Sequence, residues 1–157
     1  MPFFHSMKNR AALVRWTIAT SAMCALLILF AGATPASAAS VTATIDLSDQ
    51  RMYVSLGNHH MYTWPVSTAR KGYRTPTGTY HPTRMYRRYF SRKYHNSPMP
   101  NSIFFYGGYA IHGTTAVKSL GRPASHGCVR LHPDNARALY DMVKANGPGN
   151  TRIRIRW

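Results

Sequence analysis

The chain has 157 residues, with 20 Lys and Arg against four Asp and Glu, a formal net charge of +16 with histidine neutral. That length holds one sizeable core and excludes two full domains. Two cysteines, Cys24 and Cys128, exclude a disulfide-built scaffold.

Residues 1–38 read as a secretory signal peptide. Lys8, Arg10 and Arg15 precede an apolar stretch from Trp16 to Phe30, and Ala36-Ser37-Ala38 is a small-residue cleavage site. Export leaves a mature domain of 119 residues, with 17 Lys and Arg against four acids, or +13. Outside the cytoplasm such charge points to an anionic cell-wall or membrane surface rather than to nucleic acid. A protein held this way would be released from isolated wall by high salt. Cleavage also removes Cys24, so Cys128 would be the lone thiol in an oxidising compartment. Its neighbours are Ser125-His126-Gly127 and Val129-Arg130, not a run of aliphatics. A reactive thiolate of lowered pKa is therefore the expectation.

Within 41–157 the elements follow in order. Val41, Ala43, Ile45 and Leu47 alternate with polar residues, as a half-buried strand requires. Ser48-Asp49-Gln50 is turn chemistry. Arg51 to Leu56 and His60 to Ser67 continue as a second and third strand, together an antiparallel meander. Thr68 to Gly72 is a loop, and Thr75-Pro76-Thr77-Gly78 fixes the chain before a further strand.

Residues 81–101 interleave Arg84, Arg87, Arg88, Arg92 and Lys93 with tyrosines and a phenylalanine, bounded by prolines. They read as a long basic surface loop with one irregular helical turn, of the kind that forms binding walls. Ser102 to Tyr106 is an apolar run suited to a buried central strand. Gly107-Gly108 turns the chain into a strand from Tyr109 to His112. A loop over 113–124 leads to Ser125-His126-Gly127-Cys128. Pro133 and Asp134 open the one clear helix of the mature chain, which Asn146-Gly147 ends. Thr151 to Trp157 alternates strictly, with Ile153 and Ile155 inward. The sum is a mostly-β domain with one C-terminal helix.

The chemistry concentrates between His112 and Arg130. Cys128 is the candidate nucleophile. Gly127 lacks a Cβ, so backbone amides at 127 and 128 are candidate oxyanion donors. His126 lies two residues from Cys128, about 6–7 Å along an extended chain, beyond direct hydrogen-bond reach. His112 ends a separate strand and is assigned the base, presented to the sulfur from an adjacent strand about 4.8 Å away. His126 would then shape the pocket, bind substrate or bond only to the backbone. Arg130, on the same strand face as Cys128, could clamp a carboxylate or stand exposed. Ser125 would orient a histidine or hold the turn. Zinc is disfavoured, because His126 and Cys128 are too close to chelate together and no CxxC or HxxxH pair supports a site. No cofactor is indicated.

His112-Gly-Thr followed by Gly121-Arg-Pro-Ala-Ser-His-Gly-Cys-Val-Arg-Leu resembles the active-site signature of the YkuD-like L,D-transpeptidase catalytic domain. Ile45-Asp-Leu-Ser, then Val66-Ser-Thr and Thr75-Pro-Thr-Gly, are similar to that family's earlier landmarks. The resemblance spans residues 41–157. It implies a β-sandwich-like catalytic domain, in the periplasm or cell wall, acting on peptidoglycan stem peptides. By that resemblance Cys128 would attack the carbonyl of the third stem residue and expel the terminal D-alanine. The acyl group would pass to a neighbouring stem, cross-linking third residues. His112 would move the proton, and amides around 126–128 would hold the oxyanion. Relatives that transfer to water or to a protein lysine give two alternatives, an L,D-carboxypeptidase or a protein-attachment enzyme. The resemblance also implies acylation of the cysteine by carbapenems. Arg130 stands where many members carry Asn, and Ala69-Arg70 replaces a common Gly. A third, non-enzymatic reading is a basic wall-binding module with an inert Cys128.

Overall fold

The computed structural model describes residues 39–157. The expected signal peptide, including Cys24, lies outside the described residues. Strands β1 (Val41–Asp46), β2 (Arg51–Leu56) and β3 (His59–Pro65) form the expected meander. They belong to a five-stranded sheet of order β3-β2-β1-β11-β4, with β4 at Gly78–Tyr80 and β11 at Thr151–Arg156. The last strand is therefore interior, parallel to β1 and antiparallel to β4.

A second sheet has the order β10-β9-β8-β5, from Val129–Leu131, Tyr109–Gly113, Ser102–Tyr106 and Arg84–Tyr86. Helix α1 (Pro133–Asn146) starts with Pro133 in its first turn and the His132 ring accepting from the Asp134 amide. Gly147, at φ 92°, ends it. Its buried face is Ala136, Leu139, Tyr140 and Val143.

One core joins both sheets to that helix. Val41, Ile45, Met52, Val54, Ile153 and Ile155 from the first sheet meet Ile103, Phe105, Ile111, Val129 and Leu131 from the second. Gln50, buried in the turn after β1, ties it to the next loop. Its Nε2 donates to the Leu47 carbonyl and Thr68 Oγ1, and its Oε1 accepts from the Thr68 amide.

The basic 81–101 segment is more ordered than a loop. It supplies β5, then a two-residue hairpin of β6 (Phe90–Ser91) and β7 (Ser97–Pro98) around a 3-10 turn at Arg92–Tyr94. β5 pairs with β8, which extends the second sheet by one strand. Sequence alternation is too short there to show this, because three residues carry less than two periods.

Candidate active site

The pleat of the second sheet decides which side chains form the site. Ile103, Ile111 and Val129 share a register row and face the core. Their neighbours in sequence must face the other way. Those neighbours are Ser102, Phe104, Ala110, His112, Cys128 and Arg130. The 81–101 segment covers this outer face, leaving a cavity of about 540 Å³ lined by His112, Cys128, His126 and Arg130 and, from the cover, Tyr89, Lys93 and Tyr94 among others. Long basic sequence here becomes one wall of the pocket, as expected.

Register places His112 differently from the sequence expectation. β10 runs parallel to β9 with Arg130 opposite His112. Cys128 comes two residues earlier, level with Ala110, so His112 is its diagonal neighbour rather than its direct one. Diagonal same-face pairs remain within reach of longer side chains. His112 is buried and its Nδ1 is 2.7 Å from the Gly113 carbonyl. A carbonyl can only accept, so Nδ1 carries the proton and Nε2 is left as the basic atom. Burial lowers the His112 pKa to about 4, with the Gly113 bond opposing and Arg130 adding to the shift. The imidazole is neutral at pH 7.

The expectation of a resting thiolate is corrected. Burial raises the Cys128 pKa, against smaller lowering effects from the Ala110 amide, Arg130 and Lys93. Cys128 is half-buried, packed on Met99, Phe104 and Ala110 beneath the pocket. The resting pair is a neutral thiol and a neutral imidazole, because desolvation outweighs the surrounding cations.

The loop before the cysteine is held from within. Ser125 Oγ donates to the Cys128 carbonyl at 2.7 Å and accepts from the Gly127 amide at 2.9 Å. Ser125 thus holds the turn; its hydroxyl is not aimed at a histidine. The same bond occupies the Gly127 amide, which was expected to face an oxyanion. The Cys128 amide makes no hydrogen bond among the described residues and is the remaining donor.

Gly127 is required for a different reason. At φ 129° an added Cβ would lie 2.5 Å from the Tyr109 ring and 2.8 Å from the Arg74 carbonyl. Gly127→Ala should displace the loop and destabilise the domain by about 1–3 kcal/mol, the usual range for overpacking and strain. A melting curve superimposable on the parent's would refute this.

His126 is clamped between two rings, stacked on Tyr94 at 4.7 Å and edge-on to Tyr73 at 4.6 Å. Burial lowers its pKa, with Arg70, Arg130 and Lys93 pushing the same way. It shapes the pocket wall. Arg130 is half-buried in the same cavity, its Nη1 3.4 Å from the Ala124 carbonyl. Three contributors escaped the sequence reading. Tyr73 and Tyr94 are the clamp. Thr75 donates to the Gly127 carbonyl and accepts from the Ala69 amide. Only Thr75 left a trace, inside the Thr75-Pro-Thr-Gly landmark.

The YkuD family model, described as the L,D-transpeptidase catalytic domain, matches residues 40–155. The chain belongs to the YkuD family of L,D-transpeptidase catalytic domains. Among curated proteins it is similar to YkuD of Bacillus subtilis (strain 168), an L,D-transpeptidase by its given name. Identity is 27% over 115 residues, 71% of this chain and 63% of that one. A solved L,D-transpeptidase from Mycobacterium smegmatis shares the fold, with TM-score 0.68 and 23% identity over 76% of this chain and 59% of that one. One from Stackebrandtia nassauensis aligns with TM-score 0.65 and 26% identity over 75% and 56%. The chain therefore spans about three-fifths of these relatives' length. The YkuD fold and the L,D-transpeptidase family are those that the sequence motifs implied.

Proposed function

We propose that this YkuD-family domain is an exported L,D-transpeptidase that cross-links peptidoglycan stem peptides through an acyl-enzyme on Cys128. The carrying observation is that Cys128 and His112 face one cavity, with Nε2 of His112 held unprotonated by the Gly113 bond.

Because both groups rest neutral, the proton moves as the bond forms. The Cys128 thiol proton passes to His112 Nε2 while sulfur attacks the carbonyl carbon of the third stem residue. The Cys128 amide donates to the developing oxyanion. Collapse breaks the C–N bond, and the imidazolium returns its proton to the departing D-alanine amine. The thioester is then taken by the side-chain amine of a second stem. His112 removes that amine's proton, and the thiol is restored. Arg130, with Lys93 at the opposite wall, supplies cationic partners for substrate carboxylates.

Incubation of the mature protein with a disaccharide-tetrapeptide tests this, with products identified by mass. Cross-linked dimer with release of D-alanine is expected. Tripeptide alone would make the enzyme an L,D-carboxypeptidase, and no product would leave a wall-binding module.

A further inference from the structure

The five-stranded sheet has an outer face that the catalytic cavity does not use. On β11 every core-facing position is Thr or Ile and every exposed one is Arg: Arg152, Arg154 and Arg156. Strand pairing extends this into rows. Arg154 stands level with Thr44 of β1 and Thr79 of β4, and Thr44 in turn with Tyr53 and Thr63. Arg152 stands level with Thr42 and Ser55. A row five strands wide spans about 19 Å at the usual strand spacing.

Of the three arginines on this face, Arg156 pairs with Asp46, and Arg152 and Arg154 are left uncompensated among the described residues. Asp46 is taken by the Ser48 hydroxyl, two backbone amides and Arg156, and Asp49 accepts from Tyr53. Among the described residues neither Arg152 nor Arg154 has a carboxylate within 4.0 Å. Like charges two residues apart on one strand lie about 6.6–6.8 Å apart and repel. A bound anion would relieve that.

We propose that this outer face binds a linear phosphodiester polymer without bases, of the alditol-phosphate kind, through Arg152, Arg154 and the adjoining hydroxyl rows. A guanidinium fork grips two phosphate oxygens, and neighbouring Thr and Ser hydroxyls donate to the same group. Alternate residues along β11 present successive forks to successive phosphates of an extended chain. Base stacking needs a run of exposed aromatic platforms, and among the described residues these rows offer only half-buried Tyr53 and, at one edge, the His60 ring, with the exposed Trp157 beyond Arg156, which disfavours nucleic acid. Bilayer insertion needs exposed apolar side chains, and these rows carry none. The polymer would tether the domain by the side of the molecule that leaves the cavity open.

The test uses the full mature domain and a synthetic glycerol-phosphate oligomer, with affinity followed against salt. Arg152→Gln/Arg154→Gln should weaken binding at least about tenfold at low salt. It should also flatten the log–log salt slope by about 1.4, near 0.7 per lost contact. Arg122→Gln/Lys144→Gln removes the same charge from exposed positions elsewhere and should change affinity no more than about twofold. Melting temperatures report that both variants are folded. Equal weakening by both doubles, or no oligomer binding by the parent, overturns the proposal. So does equal or tighter binding of poly-glutamate, oligo-dT or phosphatidylglycerol vesicles.

Discussion

Cys128→Ala should abolish acylation altogether. Exposing the parent domain to imipenem should add one drug mass to the intact protein, because the thiol opens the β-lactam and retains it as a thioester. The alanine variant should stay at its own mass at every time and dose. The structure makes this a clean comparison. Cys128 is only half-buried and its carbonyl, not its sulfur, carries the turn geometry through Ser125. Losing one sulfur from the edge of the Met99, Phe104 and Ala110 cluster leaves that turn intact. Drug mass on the folded alanine variant would show that another group is the nucleophile.

His112→Gln should lower the acylation rate by about 10²–10⁴, the range for loss of a positioned general base. The pH profile is the sharper measurement. In the parent, rate should hold from neutrality down to about pH 5, then fall through about 4 as Nε2 takes a proton and ceases to be a base. That acid limb should vanish in the glutamine variant. Simple alkylation by iodoacetamide, which consumes thiolate, should instead rise only at alkaline pH, beyond the ordinary thiol range, in both proteins, since burial pushes the Cys128 thiol up. Fast alkylation of the parent at pH 5 would reveal a resting thiolate–imidazolium pair and sink the neutral mechanism.

The same burial has a stability consequence with a definite sign. The folded pKa of His112 lies below its unfolded value of about 6.5, so the unfolded chain binds the extra proton. This group's contribution is complete above pH 6.5 and is lost as pH falls toward 4. The glutamine variant should lack that part of the acid destabilisation.

Much of this was legible in sequence because it is local. Strict alternation marks Val41 to Asp46 and Thr151 to Arg156, and Pro133 with Gly147 brackets the helix. Residue types singled out Cys128 and His112, and the strand pleat turns both toward one cavity. What stayed hidden depends on distant pairing. Parallel strands joined by a loop carry no turn signal to set register, so Arg130 rather than Cys128 falls opposite His112. Tyr73 and Tyr94 meet His126 across separations that no periodicity records. The thiol was misjudged because sequence shows the cations beside it but not the Met99 and Phe104 packing that dries it.

The central place of β11 also governs when the domain can form during synthesis. β4 has only β11 as a sheet neighbour, and β1 has β11 on one side. A nascent chain in which β11 has not yet emerged therefore holds a meander and a detached strip, with hydrophobic edges unclosed. Completion waits for residues about 110 positions later than the first strand to emerge, a slow, long-range closure. Until β11 has been made such a polypeptide stays threadable, and it locks only with that strand.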